Sequence, residues 1–408
     1  MVSLNWLMSA VLLTGMTAAH PGEPHDPEQH KRALVARDFA AKQHARSYSQ
    51  CSNSPRALER EKRAISRRMQ KVNELRNKRG IKSSRFQIAA RKAKRDLEDL
   101  QSWEAISHNK TGSLDYDMFT PIVDIFGANT SCILAPETTN GPYYIVGEYM
   151  RSNVKESLWS EGVDLFLEIQ YIDVNTCEPI PTVAVDVWNC NATGIYSGIY
   201  TDGNYAADGV NSTYLRGIQL TDHDGVVQFE TIFPGHYDGR ATHTHILAHI
   251  NGTLSPNGTI QVWDAPMAHN GQLFWPEDLR EEVEATYPYT LNTQSITTND
   301  EDMWTIVQAD ESYDPFPQFV YLGDSIEDGL FAWIQVGLNA TADYTEDDYY
   351  SIAGYLDETG GHALSGQVGG SPGEGGPGNG TGSQPSGTGA PPSGTGSALP
   401  TSSETTSS

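Results

Sequence analysis

The 408-residue sequence has little of what would anchor it in a bilayer. Its one apolar run, Leu4 to Ala19, is short for a spanning helix and broken by Asn5, Ser9 and Thr14, which leaves a transmembrane anchor as the lesser alternative. Residues 1–19 read instead as a signal peptide: Leu4, Trp6, Leu7, Met8, Val11, Leu12 and Leu13 form the apolar region, and Thr17-Ala18-Ala19 offers small residues at a cleavage point before His20. The C-terminal end has no apolar stretch, so it carries no lipid-anchor signal. Basic residues are also scarce, 27 against 52 acidic for a net −25, which excludes nucleic acid as a partner along the whole surface. The scarcity is local. Residues 1–95 hold 21 of the 27 basic and 7 of the 52 acidic residues, a net +14 against −39 for the remainder. Opposite fields of that size favour docking of the two parts, within one molecule or across a homodimer.

Cysteine is rare as well: Cys51, Cys132, Cys177 and Cys190 show no zinc-pair spacing. In an exported chain they read as structural disulfides, with three possible pairings. Cys177 with Cys190 is favoured, because Pro179 and Pro181 make a turn after which Val183 to Trp188 alternates like a strand returning beside its predecessor; Cys51 then falls to Cys132. Eight Asn-x-Ser/Thr sequons (Asn109, Asn129, Asn191, Asn211, Asn251, Asn257, Asn339 and Asn379) fit a glycosylating secretory route.

Composition divides the rest. Residues 20–55 read as an irregular arm or pro-segment with a dibasic Lys31-Arg32. Residues 56–104 read as a basic helical hairpin: Leu58, Ile65, Met69, Val72 and Leu75 share a face, the run stops near Gly80, Ser83 or Ser84 caps a second helix, and Phe86, Ala89, Ala93, Leu97 and Leu100 repeat along it. Residues 111–355 switch to short β-rich runs between Gly, Pro, Asn and Asp. Leu165, Leu167, Ile169 and Tyr171 alternate, as do Val183, Val185 and Val187, so the expected fold is mainly β: a two-sheet antiparallel β-sandwich. Residues 360–408, dominated by Gly, Ser, Thr and Pro, read as a disordered tail that could tether the protein to a cell wall.

The chemistry concentrates in Phe233-Pro-Gly-His-Tyr-Asp-Gly-Arg-Ala-Thr-His-Thr-His-Ile246. On a strand, His243 and His245 face one side roughly 6.6 Å apart and can aim at one point; His249, roughly 13 Å further on, is not expected to join them. Upstream, Val185-Asp-Val-Trp-Asn-Cys-Asn-Ala-Thr-Gly-Ile-Tyr196 is a strand and a Gly turn that deliver a tyrosine, with Trp188 read as core. Asp222 and Asp224 read as a turn before Gly225 rather than a calcium loop.

This order of parts resembles the intradiol ring-cleavage dioxygenases over about Cys132 to Val336. The resemblance implies a non-haem Fe(III) site of Tyr196, Tyr237, His243 and His245, with Arg240 stabilising negative charge on the ring or, on the plainer reading, serving as a structural ion pair. Gly271-Gln-Leu-Phe-Trp275 nominates Gln272, behind the ligands or against the substrate. Glu137-Thr-Thr-Asn-Gly-Pro-Tyr-Tyr144 nominates Tyr143 or Tyr144 as a wall of the substrate pocket. The sequence departs from the bacterial pattern in the short link from Tyr237 to His243, in an insertion from Asn251 to Met267, and in a sequon five residues before Tyr196. Phenolates and neutral imidazoles suit a trivalent iron, whereas the carboxylate-containing facial triad suits Fe(II). The implied function is a secreted dioxygenase that opens catechol-type aromatic diols with O2 between the hydroxyl-bearing carbons, giving muconate-type diacids, with Tyr237 displaced by substrate. The rival readings are a secreted sandwich that binds aromatic or carbohydrate ligands without turnover, and a structural surface protein.

Overall fold

The computed structural model describes residues 27–81, 98–111, 125–126, 133–134 and 138–364, apart from 202, 255–257, 263–264, 310–312 and 347–349. The expected signal peptide, the hairpin's second helix up to residue 97, Cys132 and the tail beyond 364 lie outside these residues. Among the described residues, no helix is long and apolar enough to cross a membrane.

The helices α1 (Pro27–Ser49), α2 (Pro55–Arg79) and α3 (Glu98–Glu104) come first. The strands follow: β1 (Ile133–Leu134), β2 (Ile145–Val146), β3 (Asp164–Asp173), β4 (Ala184–Trp188), β5 (Tyr200–Thr201), β6 (Asn204–Tyr205), β7 (Arg216–Leu220) and β8 (Val226–Ile232). After them come β9 (His243–His249), β10 (Thr253–Leu254), β11 (Ile260–Gln261), β12 (Met267–Phe274), β13 (Gln318–Tyr321), β14 (Leu330–Leu338), β15 (Gly354–Asp357) and β16 (Gly360–Ala363).

Two sheets make the sandwich. One runs β1-β14-β3-β8 with β13 on β14; the other runs β12-β9-β4-β7. The second is antiparallel throughout, whereas β3 and β14 in the first lie parallel, Leu165 beside Leu330. Alternation decides which side chains meet. Leu165, Leu167 and Ile169 of β3, Val185 and Val187 of β4, and Ile246 and Ala248 of β9 fill the shared core. The intervening residues therefore line the outer faces: Phe166 and Glu168 on the first sheet, and Asp186, Trp188, His243 and His245 on the second.

Helix α2 covers the first outer face. Ser54 caps it by accepting from the Ala57 amide, Pro55 opens it, and Gly80 closes it in the left-handed region at φ 69°. Ile65, Val72 and Leu75 pack on Phe166, Phe331 and Trp333, each contributing about 1.5–3 kcal/mol by burial. Leu58, expected on that face, is 51% exposed and Ala57 takes the inward position. The basic arm docks on acidic residues of its own molecule: Arg67 and Arg68 on Glu168, and Arg63 on Asp224. Asp224 belongs to the expected turn, in which the Asp222 carboxylate accepts from the Asp224 and Val226 amides.

Three expectations need correction. The segment 20–55 is not irregular, because α1 occupies Pro27–Ser49; Ala33, Ala36, Ala40 and Ala41 favour helix without leaving an amphipathic stripe to read. The disulfide is Cys51–Cys177, Cα–Cα 5.7 Å. Strand β4 does not return beside β3 but crosses into the other sheet, which carries Cys190 seven residues, roughly 23 Å of strand, from the turn and beyond disulfide reach of Cys177. Cys190 is a buried free thiol donating to the Gly235 carbonyl. Last, the fold runs past 360: β15 and β16 form a hairpin that continues onto β2. Glycine permits this, since a Cβ on Gly361 would collide with the Val210 carbonyl.

Candidate functional site

The site lies on the second sheet's outer face, where period-two alternation aims His243 and His245 away from the core. Cross-strand neighbours fix both rings. His245 stands opposite Trp188 and Gln272, and its imidazole lies flat on the Trp188 indole at 4.5 Å and 2°. Trp188 is thus buried core, as expected, and also the platform for a site imidazole. His243 stands opposite Phe274, and its Nδ1 is 2.6 Å from the Ala241 carbonyl. A carbonyl only accepts, so Nδ1 carries the proton and Nε2 presents a lone pair.

Two turns bring the tyrosines to the same point. After β4, the Asn191 side chain accepts from the Thr193 and Ile195 amides and Gly194 adopts φ 79°, where a Cβ would strike the His236 carbonyl. Tyr196 follows. The sequon at Asn191 therefore folds its side chain inward, 7% exposed, as the pin of this turn. After β8, Pro234-Gly235 turns the chain to Tyr237. Asn292 and Gln294 tie the two turns together, Asn292 donating to the His236 carbonyl and Gln294 to the Thr193 carbonyl.

The donor atoms converge. His243 Nε2 lies 3.0 Å from His245 Nε2, 3.3 Å from Tyr237 Oη and 3.5 Å from Tyr196 Oη. Burial pushes both phenols above their ordinary value and holds His243 well below the usual histidine range, with the Arg240 charge adding to the effect on His243. Tyr196, Tyr237 and His243 are therefore neutral, and they face His245 in a space that water barely reaches. Donors sharing one ion at about 2.0–2.1 Å stand roughly 2.9–3.4 Å apart for angles between 90° and 110°. The separations found fit a single metal ion. Ionising both phenols as well would place two negative charges here, which a trivalent cation offsets best. Among the described residues, no group of three or more His, Cys, Asp and Glu is placed to hold a metal.

Arg240 reaches the site from the link between Tyr237 and β9, and it is fully buried. Its Nε donates to Asp302 Oδ2 at 2.8 Å, and its Nη2 donates to Gln272 Oε1. Gln272 donates in turn to the Thr139 carbonyl at 2.7 Å. Gln272 thus stands behind Arg240 and ties it to the segment carrying Tyr143. Tyr143 packs its ring 4.9 Å from that of Tyr196 and 6.4 Å from that of Tyr237; burial raises its hydroxyl to about 12. Tyr144, the other candidate for the pocket wall, faces away: its hydroxyl lies 3.2 Å from both Asp186 Oδ2 and His249 Nε2, behind Trp188. His249 points its Nδ1 at the Ala265 carbonyl and stands apart from the four donors.

Sequence reasoning missed Asp302. It caps the helix Met303–Gln308 by accepting from the Trp304 amide, and it accepts from the Ala241 amide as well as from Arg240. Its sequence signal, an Asp just before an apolar helical turn, reads as an N-cap and nothing more. It also missed the strap 350–354: Asn140 and Ser351 exchange two hydrogen bonds, and the Ala353 amide donates to the Tyr144 carbonyl, fixing the segment that holds Tyr143.

Residues 139–256 match the family described as Dioxygenase. The intradiol ring-cleavage dioxygenase of Tetranychus urticae is 29% identical, over 54% of this chain and 99% of that one, at a TM-score of 0.44. A second dioxygenase crystal structure is 30% identical over 52% of this chain and 97% of that one, at a TM-score of 0.42. The catechol 1,2-dioxygenase of Acinetobacter sp. ADP1, inhibited by bound mercury, is 19% identical over 50% and 62%, at a TM-score of 0.33. No curated protein matches the chain.

Proposed function

This chain belongs to the intradiol ring-cleavage dioxygenases, and from that premise we propose that it is a secreted, non-haem Fe(III) enzyme that opens catechol-type diols between their hydroxyl-bearing carbons to muconate-type diacids. The observation that carries the metal assignment is the convergence of two imidazole nitrogens and two phenol oxygens within 3.0 to 3.5 Å of His243 Nε2. Tyr196, Tyr237, His243 and His245 would hold the iron. A ferric ion held there would supply the withdrawal of electron density that opens an aromatic diol's ring to dioxygen.

The protein's own groups do the rest. Tyr237 at 7% and Tyr143 at 6% are the most exposed of the site residues, so a diol enters on their side. The Tyr237 hydroxyl oxygen is the one placed to accept a proton from the incoming diol. Tyr143 offers an aromatic wall. Arg240, held by Asp302 and Gln272, keeps a positive charge in a water-poor site without reorganisation, where negative charge develops on the ring. Export is supported by the apolar leader, the sequons and the Cys51–Cys177 disulfide, which persists in an oxidising compartment.

The test is spectroscopic and stoichiometric. Protein purified from a secreting host is expected to hold one iron per chain and to show a visible tyrosinate-to-iron band. That band is expected to shift with catechol, hydroxyquinol or protocatechuate, and one O2 is expected to be consumed per diol. A colourless protein that takes up no iron on reconstitution overturns the metal site; diol binding with no oxygen uptake overturns the reaction.

A further inference from the structure

Three of the four donors are held by the fold in ordinary ways. His245 is paired on both sides, with Gln272 and with Trp188, His243 is paired with Phe274 at the start of the same strand, and Tyr237 sits in a turn whose carbonyl accepts from the Arg240 amide at 3.3 Å. Tyr196 belongs to no strand. Its backbone is held by a side chain instead: Asn204, 1% exposed, accepts from the Tyr196 amide through Oδ1 at 2.6 Å and donates through Nδ2 to the Tyr196 carbonyl at 2.9 Å and the Ile199 carbonyl at 3.0 Å. A primary amide is the one short side chain with an acceptor and two donors in one plane, so it stands in for the strand partner that Tyr196 lacks. The hairpin β5–β6 turns back on itself to deliver it, pairing Thr201 with Asn204.

The next residue is anchored too. The Ser197 carbonyl accepts from Arg216 Nε at 3.1 Å and Nη2 at 2.8 Å, and Arg216 reaches on to Glu148 at 3.3 Å. Asn204 therefore fixes Tyr196 while Arg216 fixes Ser197 directly after it, and the phenol leaves the chain at one angle. Resting on the reading of Tyr196 as a ligand, we propose that Asn204 is a positioning residue for the metal: its amide sets the height of the Tyr196 oxygen over the histidine pair.

The experiment compares wild type, Asn204→Ala, Asn204→Asp and Tyr205→Ala as full secreted chains. Asn204→Asp keeps the acceptor but turns both donors into an oxygen that faces two carbonyls. Tyr205, 54% exposed on the same hairpin, touches Tyr200 and serves as the control. Iron affinity is read by competition with a chelator, the tyrosinate-to-iron band by absorption, and the fold by circular dichroism and thermal melting. Both Asn204 variants are expected to keep the fold, to lose about 10–100-fold in iron affinity, as supporting partners of metal ligands do, and to move the band, with Tyr205→Ala matching wild type. Iron affinity within twofold of wild type and an unmoved band overturn the proposal. So does loss of the fold in both Asn204 variants, which would make the residue a general stabiliser. A wild type that binds no iron is a different result, and it overturns the metal site itself.

Discussion

The two outer faces of the sandwich solve one problem in opposite ways. Each buries polar groups under a covering layer. On the first sheet, Glu168 is fully buried and receives Arg67 at 3.0 Å, Arg68 at 3.0 Å and Gln228 at 2.9 Å, all from this chain. Burial alone would raise its pKa; the two guanidiniums hold it below the ordinary carboxylate value. On the second sheet, Tyr196, Tyr237, His243 and His245 bring four lone pairs together, while the nearby Arg240 charge is already matched by Asp302. The first face is completed by the polypeptide. The second, in the function proposed, is completed by a cation from outside, and this difference separates a scaffold from a reactive centre more clearly than burial does.

The comparison breaks hardest at the histidine pair. His245→Ala removes one of two adjacent donors and the ring stacked on Trp188. The expected result is a loss of iron affinity larger than the about 100-fold typical of losing a supporting partner, with the visible band and O2 uptake at background and the melting temperature of the iron-free protein little changed. A variant that holds a full complement of iron and still cleaves diols would remove the second face from the comparison.

The reverse experiment leaves the site alone. Glu168→Gln keeps the shape but strands Arg67 and Arg68 without their counter-charge, which is expected to cost about 3–5 kcal/mol of stability with the visible band unchanged. The wild-type carboxylate has a lowered pKa in the folded state, so its contribution is full above the unfolded pKa, about 4.3, and is lost as pH falls through the folded value. Asp224, lowered by its bonds to Arg63 against the effect of burial, behaves the same way. Denaturant melts between pH 2 and 6 are expected to show acid weakening that is shallower in Glu168→Gln. An identical acid slope in the two proteins would refute the assignment.

The legibility of these faces in the sequence depends on the range of the interactions. Alternation in β3, β4 and β9 is a local pattern and gave the sandwich, and the dense basic arm gave its docking on acidic residues, because side-chain type and charge are written along the chain. The four donors came from the spacing His-x-His and a resemblance, each motif lying within a dozen residues. Pairings between distant segments were not legible. Cys51 meets Cys177 across 126 residues, Arg240 meets Asp302 across 62, and Asn140 meets Ser351 across 211. The crossing of β4 into the second sheet separates Cys177 from Cys190, and nothing in the residues between them encodes it. Helix α1 hid for another reason: alanine favours helix without a stripe.

The smallest effect concerns a second buried carboxylate, Asp186, which shares the outer face of the site. Arg216 donates to Glu148 Oε1, and Tyr144 lies against Asp186 Oδ2. The remaining oxygens, Glu148 Oε2 and Asp186 Oδ1, are buried with no hydrogen-bond partner, and burial raises both carboxyls, so the pair is expected to hold one proton. Burial, and then the charge of Glu148, hold Asp186 well above its ordinary value, the opposite of Glu168. With a raised folded pKa, its protonated form is the stable one, so stability is full below the unfolded pKa of about 3.9 and declines as pH rises toward the folded value. An asparagine side chain here reproduces the protonated acid, donating to Glu148 while accepting from Tyr144. Asp186→Asn is therefore expected to stay within about 1 kcal/mol of wild type and to flatten the decline between pH 4 and 7. Asp186→Ala leaves the Glu148 oxygen unmatched and is expected to cost about 1–3 kcal/mol. Equal losses in the two variants would mean that Asp186 is ionised, and that this face too carries a charge the chain must balance.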